Sequence, residues 1–366
     1  MSFFGEYIST FFNDNLLVLV LTTLILSFIS SYRTFPMIVY ISLKKNLTAK
    51  PNDRSSHKKN TPQLGGVGIS FGAFFIAGVF GSFMLDNREM SILLSIAASL
   101  VILFSAGIKD DIFGLSPKLK LFTEISSALI FMLLTDIRID SFYGLFGIFE
   151  LPKLVSYFYT IFVFIIIINS YNLIDGIDGL AASIAILILS YFLYFFIISK
   201  SILAIVCVSS ILGSIIAFLR FNISNGKRKI FMGDVGSLVI GYILAVFTTM
   251  ILSTKFSSIE VISNKPVFIL ALFAFPFIDT LRVFIIRGIS GRSPFSADKN
   301  HLHHKLLKAG FSHIQSTILI LSYCFLIILS SYIFFSPDIL QHFMTILVLS
   351  VLFLLILSWL ITRIKK

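Results

Sequence analysis

Seven aspartates stand in company that could do chemistry: Asp53, Asp110, Asp111, Asp175, Asp178, Asp234 and Asp298. The stretch Asn169-Ser-Tyr-Asn-Leu-Ile-Asp-Gly-Ile-Asp-Gly-Leu-Ala181 lies between two apolar runs, 158–168 and 184–198. It puts two asparagines, two aspartates and two glycines at the edge of a segment otherwise fit to cross a membrane. An unpaired carboxylate at the centre of a spanning helix costs about 2.5–3.5 kcal/mol on insertion scales. Asp175 and Asp178 must therefore reach water or hold a partner such as a metal ion.

Three further stretches share this character. Lys109-Asp-Asp-Ile-Phe-Gly114-Leu-Ser-Pro117-Lys-Leu-Lys120 joins two apolar runs. Adjacent carboxylates such as Asp110 and Asp111 repel unless a cation sits beside them, and Lys118 and Lys120 are near enough in sequence to bind phosphate oxygens. Met232-Gly-Asp234-Val-Gly-Ser237 opens another run. Asp234 alone reads as a helix N-cap. Two flanking glycines go further, because they let backbone approach a ligand at a helix end that favours anions. The last stretch, 293–307, carries Asp298, Lys299, His301, His303 and His304. No cysteine accompanies these histidines and they do not form HExxH, so a zinc site is not indicated. Beside Arg292 they suit a diphosphate or sugar hydroxyls. Arg54 and His57 precede the Gly65-Gly66 pair, and Asp279 and Arg282, three apart, read as an internal ion pair.

The elements that must position these groups are membrane helices. Of 366 residues, 57% are hydrophobic and 13% charged, with a mean hydropathy of +0.97, which excludes an ordinary soluble domain. Residues 1–15 lack the basic start of a signal peptide. Cys207 and Cys324 lie in apolar runs and read as buried thiols. About eleven runs reach spanning length: 16–43, 65–85, 91–108, 121–137, 154–171, 176–198, 201–219, 235–254, 267–287, 316–335 and 341–361. Residues 199–201 make the link between two of them a tight hairpin. Pro36 and Pro276 are expected to kink their helices.

Lysine and arginine set the orientation. The loops 44–64, 109–120, 172–178, 220–234 and 288–315, with Arg287 and the C-terminal tail, hold 21 of them, against six in the opposite loops. The positive-inside rule makes the richer side cytoplasmic. The expected architecture is an all-α polytopic membrane protein, a single transmembrane domain over 1–366, with the N-terminus outside and the C-terminus in the cytoplasm. The net charge of +11 belongs to that asymmetry, so nucleic acid is not an expected partner. All seven aspartates fall on the cytoplasmic side, interleaved with Lys, Arg and His. A secondary transporter would also break helices with glycine and carry intramembrane acids, but near the midplane and with an inverted repeat, which this chain does not display.

Taken together, Asp110-Asp111, Asn172-x-x-Asp175-Gly-x-Asp178-Gly-Leu, Met232-Gly-Asp234-x-Gly-Ser and His301-x-His303-His304 resemble, in the same order, the motifs of the polyprenyl-phosphate N-acetylhexosamine-1-phosphate transferases (glycosyltransferase 4 family). The resemblance runs from Arg54 to His304. Asp279-Thr-Leu-Arg282 and Ser293-Pro-Phe look like the WecA/TagO branch, which uses GlcNAc-1-phosphate; UDP-MurNAc-pentapeptide or another UDP-amino sugar are the alternative donors. The resemblance implies transfer of N-acetylhexosamine-1-phosphate from a UDP-sugar to undecaprenyl phosphate, with release of UMP, at the bacterial inner membrane. It implies Mg²⁺ or Mn²⁺ held chiefly by Asp234, with Asn172 or Asp175 beside it. Asp110 or Asp111 would deprotonate or position the lipid phosphate, Asp175 would share the catalytic centre, and Asp178 would face the uracil. Arg54, His57, Lys118, Lys120, Arg282, Arg292, His301, His303 and His304 would hold phosphates and sugar. A homodimer is one arrangement the sequence leaves open.

Overall fold

The computed structural model describes residues 3–49, 60–256, 264–291 and 300–364. Arg54, His57 and Arg292, with Asp53, Asp298 and Lys299, lie outside the described residues. The chain is helical almost throughout: α1 (Phe3–Asp14), α2 (Leu16–Lys44), α3 (Gly65–Met84), α4 (Asn87–Phe113), α5 (Pro117–Thr135), α6 (Lys153–Ile174), α7 (Leu180–Ile198), α8 (Ile202–Asn222), α9 (Gly233–Leu252), α10 (Lys265–Leu272), α11 (Ala274–Ile289), α12 (Leu302–Lys308), α13 (His313–Ile333) and α14 (Ile339–Ile364). A two-residue antiparallel ladder, β1 (Thr48–Ala49) with β2 (Thr61–Pro62), precedes α3.

Local chemistry marks the helix ends. Asp86 and Glu89 form a capping box at the start of α4, and Ser312 with Gln315 forms another at α13. Between α4 and α5, Gly114 takes φ +77°, a conformation that favours glycine. Ser116 then caps α5, and Pro117 follows, where its missing N–H costs nothing.

Among the described residues, nine helices are long and apolar enough to cross a membrane, or ten if the bent pair α10–α11 counts as one. The sequence led us to expect about eleven. The difference is α5, where Lys118, Lys120 and Glu124 crowd the first two turns. Yet α5 runs the full length of α9: Lys120 bonds Asp234 at the start of α9, and Asp136, just past α5, bonds Lys255, just past α9. The expected kink at Pro276 falls three residues earlier, at Phe273, with a bend of 70°. Proline cannot bond to the carbonyl four residues back and crowds it, and here that carbonyl belongs to Leu272, the last residue of α10. Pro36 is accommodated inside an unbroken α2. Neither α1 nor the turn around Leu145–Gly147 was foreseen.

α9 is the axis of the bundle and is buried from Val235 to Leu252; α3, α4 and α6 pack around it. Small residues set the close approaches, as expected where lipid offers no hydrophobic drive between helices. Gly65 and Gly66 donate their N–H groups to the carbonyls of Phe231 and Met232 at 2.9 and 2.8 Å. A Cβ on Gly66 would lie 2.1 Å from the Gly236 nitrogen. On the other side of the bundle α2 meets α8 through Thr23–Ser209 and Ser27–Ser214 hydroxyl pairs at 2.6 Å. Gly66→Ala is expected to cost about 1–3 kcal/mol of stability by forcing α3 off α9, read as a lowered thermal midpoint of the detergent-solubilised protein; an unchanged midpoint would contradict this packing.

Candidate active site

The C-terminal ends of α4 and α6 and the N-terminal ends of α5, α7 and α9 meet at one face of the bundle, and the predicted acids come with them. A cavity of about 360 Å³ opens there, lined by Gln63, Asp111, Asn172, Asp175, Gly176, Ile177, Asp178, Asn222, Phe231, Gly233, Asp234, Ser237 and His304. The acids thus sit at helix ends and not at mid-span, which favours an enzyme cleft over a transporter site.

Each acid has its own setting. Asp111 crosses from α4 to the head of α9, where its two oxygens accept the backbone N–H groups of Asp234 (2.9 Å) and Val235 (3.2 Å). A negative group is favoured at a helix N-terminus by the unpaired N–H groups and the dipole. Asp110 accepts Leu115 N–H at 2.7 Å and Lys120 at 3.1 Å, which fastens the α4–α5 turn. Lys120 also reaches Asp234 Oδ1 at 2.5 Å. Asn172 donates its amide N–H to Asp234 Oδ1 at 3.0 Å and to Ser237 at 2.6 Å. Its carbonyl oxygen has no partner among the described residues. Lys118 lies exposed on the first turn of α5, two residues from Lys120 and so on another side of the helix; none of its polar contacts joins it to the cluster.

Asp175 accepts no hydrogen bond among the described residues. Burial, and then the charges of Asp234 and Asp178, push its carboxyl up to about 7. Asp178 differs. Burial raises it, but hydrogen bonds from His313 and Lys229 and their charges outweigh that and hold it below the usual carboxylate range. Lys229 lies 2.5 Å and His313 Nδ1 3.0 Å from Asp178 Oδ2. Gln63 donates to the Asp111 carbonyl, and Asn222 accepts Gly179 N–H at 2.6 Å. Sequence reasoning missed Gln63, Asn222, Lys229, Ser237 and His313. All five stand within the polar loops or the 232–237 stretch, but no local pattern sets them apart; for His313 the one signal is Ser312-x-x-Gln315, the spacing of a capping box.

The histidine loop is anchored from α11. Asp279, fully buried, accepts Arg282 at 2.7 Å, His301 Nδ1 at 2.9 Å and Leu302 N–H at 3.1 Å. Arg282 also donates to the Asn300 carbonyl at 2.6 Å. The Asp279–Arg282 pair expected from spacing is present, and it ties down the start of α12. His304 reaches the cavity, with the His303 ring centroid 4.2 Å away. His303 is buried, and neither ring nitrogen has a partner among the described residues. It lies against Gly176, where an added Cβ would be 2.2 Å from His303 Nε2.

Among the described residues, no three or more His, Cys, Asp or Glu side chains are grouped to hold a metal ion. Mg²⁺ needs no such group: it binds through one or two carboxylates plus substrate phosphates and keeps several waters. The donors at hand fit that habit. They are all oxygens (Asp234, Asp175 and the Asn172 carbonyl), and the unpartnered Asp175 carboxyl is a group that a cation would relieve.

Burial first, and then the charge of His304, hold His303 well below the usual imidazole value. The unfolded chain takes up this proton as pH falls through about 6.5 and the folded chain does not, so stability is lost on the acid side. Between pH 6.5 and 5.5 the loss is about 1 kcal/mol. Comparison of thermal midpoints at the two pH values should show a smaller drop for His303→Gln than for the parent; equal drops would mean that His303 titrates normally.

Comparison with known proteins agrees with this arrangement. Residues 93–252 match the family described as Glycosyl transferase family 4. The chain is 30% identical over 310 residues to a Bacillus subtilis (strain 168) protein named probable undecaprenyl-phosphate N-acetylglucosaminyl 1-phosphate transferase, covering 84% of this chain and 82% of the relative. It is 30% identical over 286 residues to the undecaprenyl-phosphate alpha-N-acetylglucosaminyl 1-phosphate transferase of Salmonella typhi, covering 76% and 74%. It is 28% identical over 303 residues to the protein of that name in Yersinia pestis, covering 82% and 80%. With likeness over most of both chains, and with acids, lysines and glycines gathered at one end of a helical membrane bundle, the chain belongs to glycosyl transferase family 4.

Proposed function

We propose that the chain transfers N-acetylglucosamine-1-phosphate from UDP-GlcNAc to undecaprenyl phosphate and releases UMP, at the cytoplasmic face of the bacterial inner membrane. The observation that carries this reading is the hydrogen-bonded cluster of Asp110, Lys120, Asp234 and Asn172 beside a cavity that Asp234, Asn172, Asp175 and Asp178 line. The positive-inside rule puts that face in the cytoplasm, where sugar nucleotides are made. A site at helix ends lets a lipid phosphate arrive from the inner leaflet while a water-soluble donor enters from the other side.

In the reaction an oxygen of the lipid phosphate attacks the β-phosphorus of the donor. The new P–O bond forms as the bond from that phosphorus to the bridging oxygen breaks, and UMP leaves with the electron pair. The second pKa of a phosphate monoester is about 6, so the nucleophile is largely ionised at pH 7 and needs little general-base help. Asp110 therefore acts through Lys120, which it keeps at the mouth of the site to meet an incoming phosphate. Asp111 holds the head of α9 and with it Asp234. Asp178 faces the nucleobase, and His304, backed by His303 and the Asp279–Arg282–His301 anchor, faces the sugar and its phosphates. Asp234, Asp175 and Asn172 would hold Mg²⁺ or Mn²⁺, which when bound offsets the repulsion between two anionic substrates.

Membranes incubated with radiolabelled UDP-GlcNAc and undecaprenyl phosphate should yield lipid-linked label and UMP. EDTA should stop the reaction, and Mg²⁺ or Mn²⁺ should restore it. Asp234→Asn should lower turnover by at least about a hundredfold with folding intact. Label trapped in vesicles without lipid product, or chelator-resistant turnover, would refute the reading. A donor panel with UDP-GalNAc and UDP-MurNAc-pentapeptide measures the sugar preference.

A further inference from the structure

Asp178, on the cavity wall, is held by a residue from outside the family-like motifs. His313 is the first residue of α13, more than a hundred residues from Asp178. Its Nδ1 lies 3.0 Å from Asp178 Oδ2 and 3.2 Å from the Asp178 backbone nitrogen. A protonated Nδ1 donates to the carboxylate, and an unprotonated one accepts from the backbone N–H. In both states the ring holds the same residue. Thr317, one turn further along α13, donates to the Asp178 carbonyl at 3.1 Å. Lys229, from the segment before α9, takes the same carboxylate oxygen as His313, at 2.5 Å.

Both side-chain partners therefore converge on Oδ2. The other oxygen, Oδ1, has no hydrogen-bond partner among the described residues, and Asp178 lines the cavity. A carboxylate accepts and does not donate. Fixed this way, Oδ1 suits a ring N–H and repels a ring position that is itself an acceptor. Uracil presents a donor at N3, where cytosine presents an acceptor.

We propose that His313 is the positioning residue of the nucleobase subsite: with Lys229 it holds Asp178 Oδ2 so that Oδ1 meets a pyrimidine N–H and selects uridine over cytidine nucleotides. This rests on the transferase reading given above. His313 acts through Asp178 and has no part in the phosphoryl transfer.

The purified full-length chain in detergent carries the test. His313→Ala should raise KM for UDP-GlcNAc about tenfold, the size of one lost hydrogen bond to a charged group. It should leave kcat and KM for undecaprenyl phosphate near their parent values and weaken the preference for UMP over CMP as product inhibitors. His313→Asn, whose amide nitrogen can stand where Nδ1 stands, should restore most of the loss; His313→Gln, which places its nitrogen further out, should not. If the alanine variant fails to fold, the asparagine and glutamine pair carries the same comparison. An unchanged KM for the donor, a loss confined to kcat, or equal behaviour of the asparagine and glutamine variants would overturn the inference. Asp178→Ala, which removes the acceptor, separates the two levels. If it too leaves donor KM unchanged, the nucleobase reading of Asp178 fails and the role of His313 with it. If it raises donor KM while His313→Ala does not, only the role of His313 fails.

Discussion

Carboxylates gathered at the ends of membrane helices repel one another in surroundings that screen charge poorly, and the structure is built around that repulsion. Asp110 and Asp234 share the ammonium of Lys120. Asp111 is offset by the exposed N–H groups of α9. Asp178 is offset by Lys229 and His313. Asp175 alone among the five has no such partner among the described residues. Among the described residues, the one carboxyl without a partner thus lies on the cavity wall with Asp234 and Asn172. A cation bridging donor phosphates would relieve it there.

Backbone contact keeps these side chains in register. α3, α4 and the head of α9 touch through glycine: Gly66 against Gly236, Gly107 against Val235, and Gly233 against the Gln63 carbonyl. These contacts leave no room for a methyl group, so they fix the distance between the Asp110-Asp111 turn and Asp234 more rigidly than side-chain packing would. The histidine loop depends on a single buried residue, Asp279, in the same way.

Much of this was legible in the sequence because membrane helices advertise themselves and because charge in an apolar chain is rare. The apolar runs became helices, and the hairpin at 199–201 lies where expected. Where the reading fell short, the cause is a contact between distant segments. The family resemblance offered Asp111 as a catalytic group, but only the fold shows it crossing to cap α9. Lys118 and Lys120 seemed equivalent in the chain; helix phase sends only Lys120 to Asp110 and Asp234. Nothing local in the sequence links His313 to Asp178, 135 residues away. Pro276 gave the existence of a break, while the lost bond to Leu272 decided its place.

Anomalous diffraction from crystals grown with Mn²⁺ and UDP-GlcNAc would test the central claim most directly. The account predicts a manganese peak between Asp234, Asp175 and the donor diphosphate, with the uracil ring against Asp178. A bound nucleotide with no metal beside Asp234, or a nucleotide seated at another face of the bundle, would contradict it.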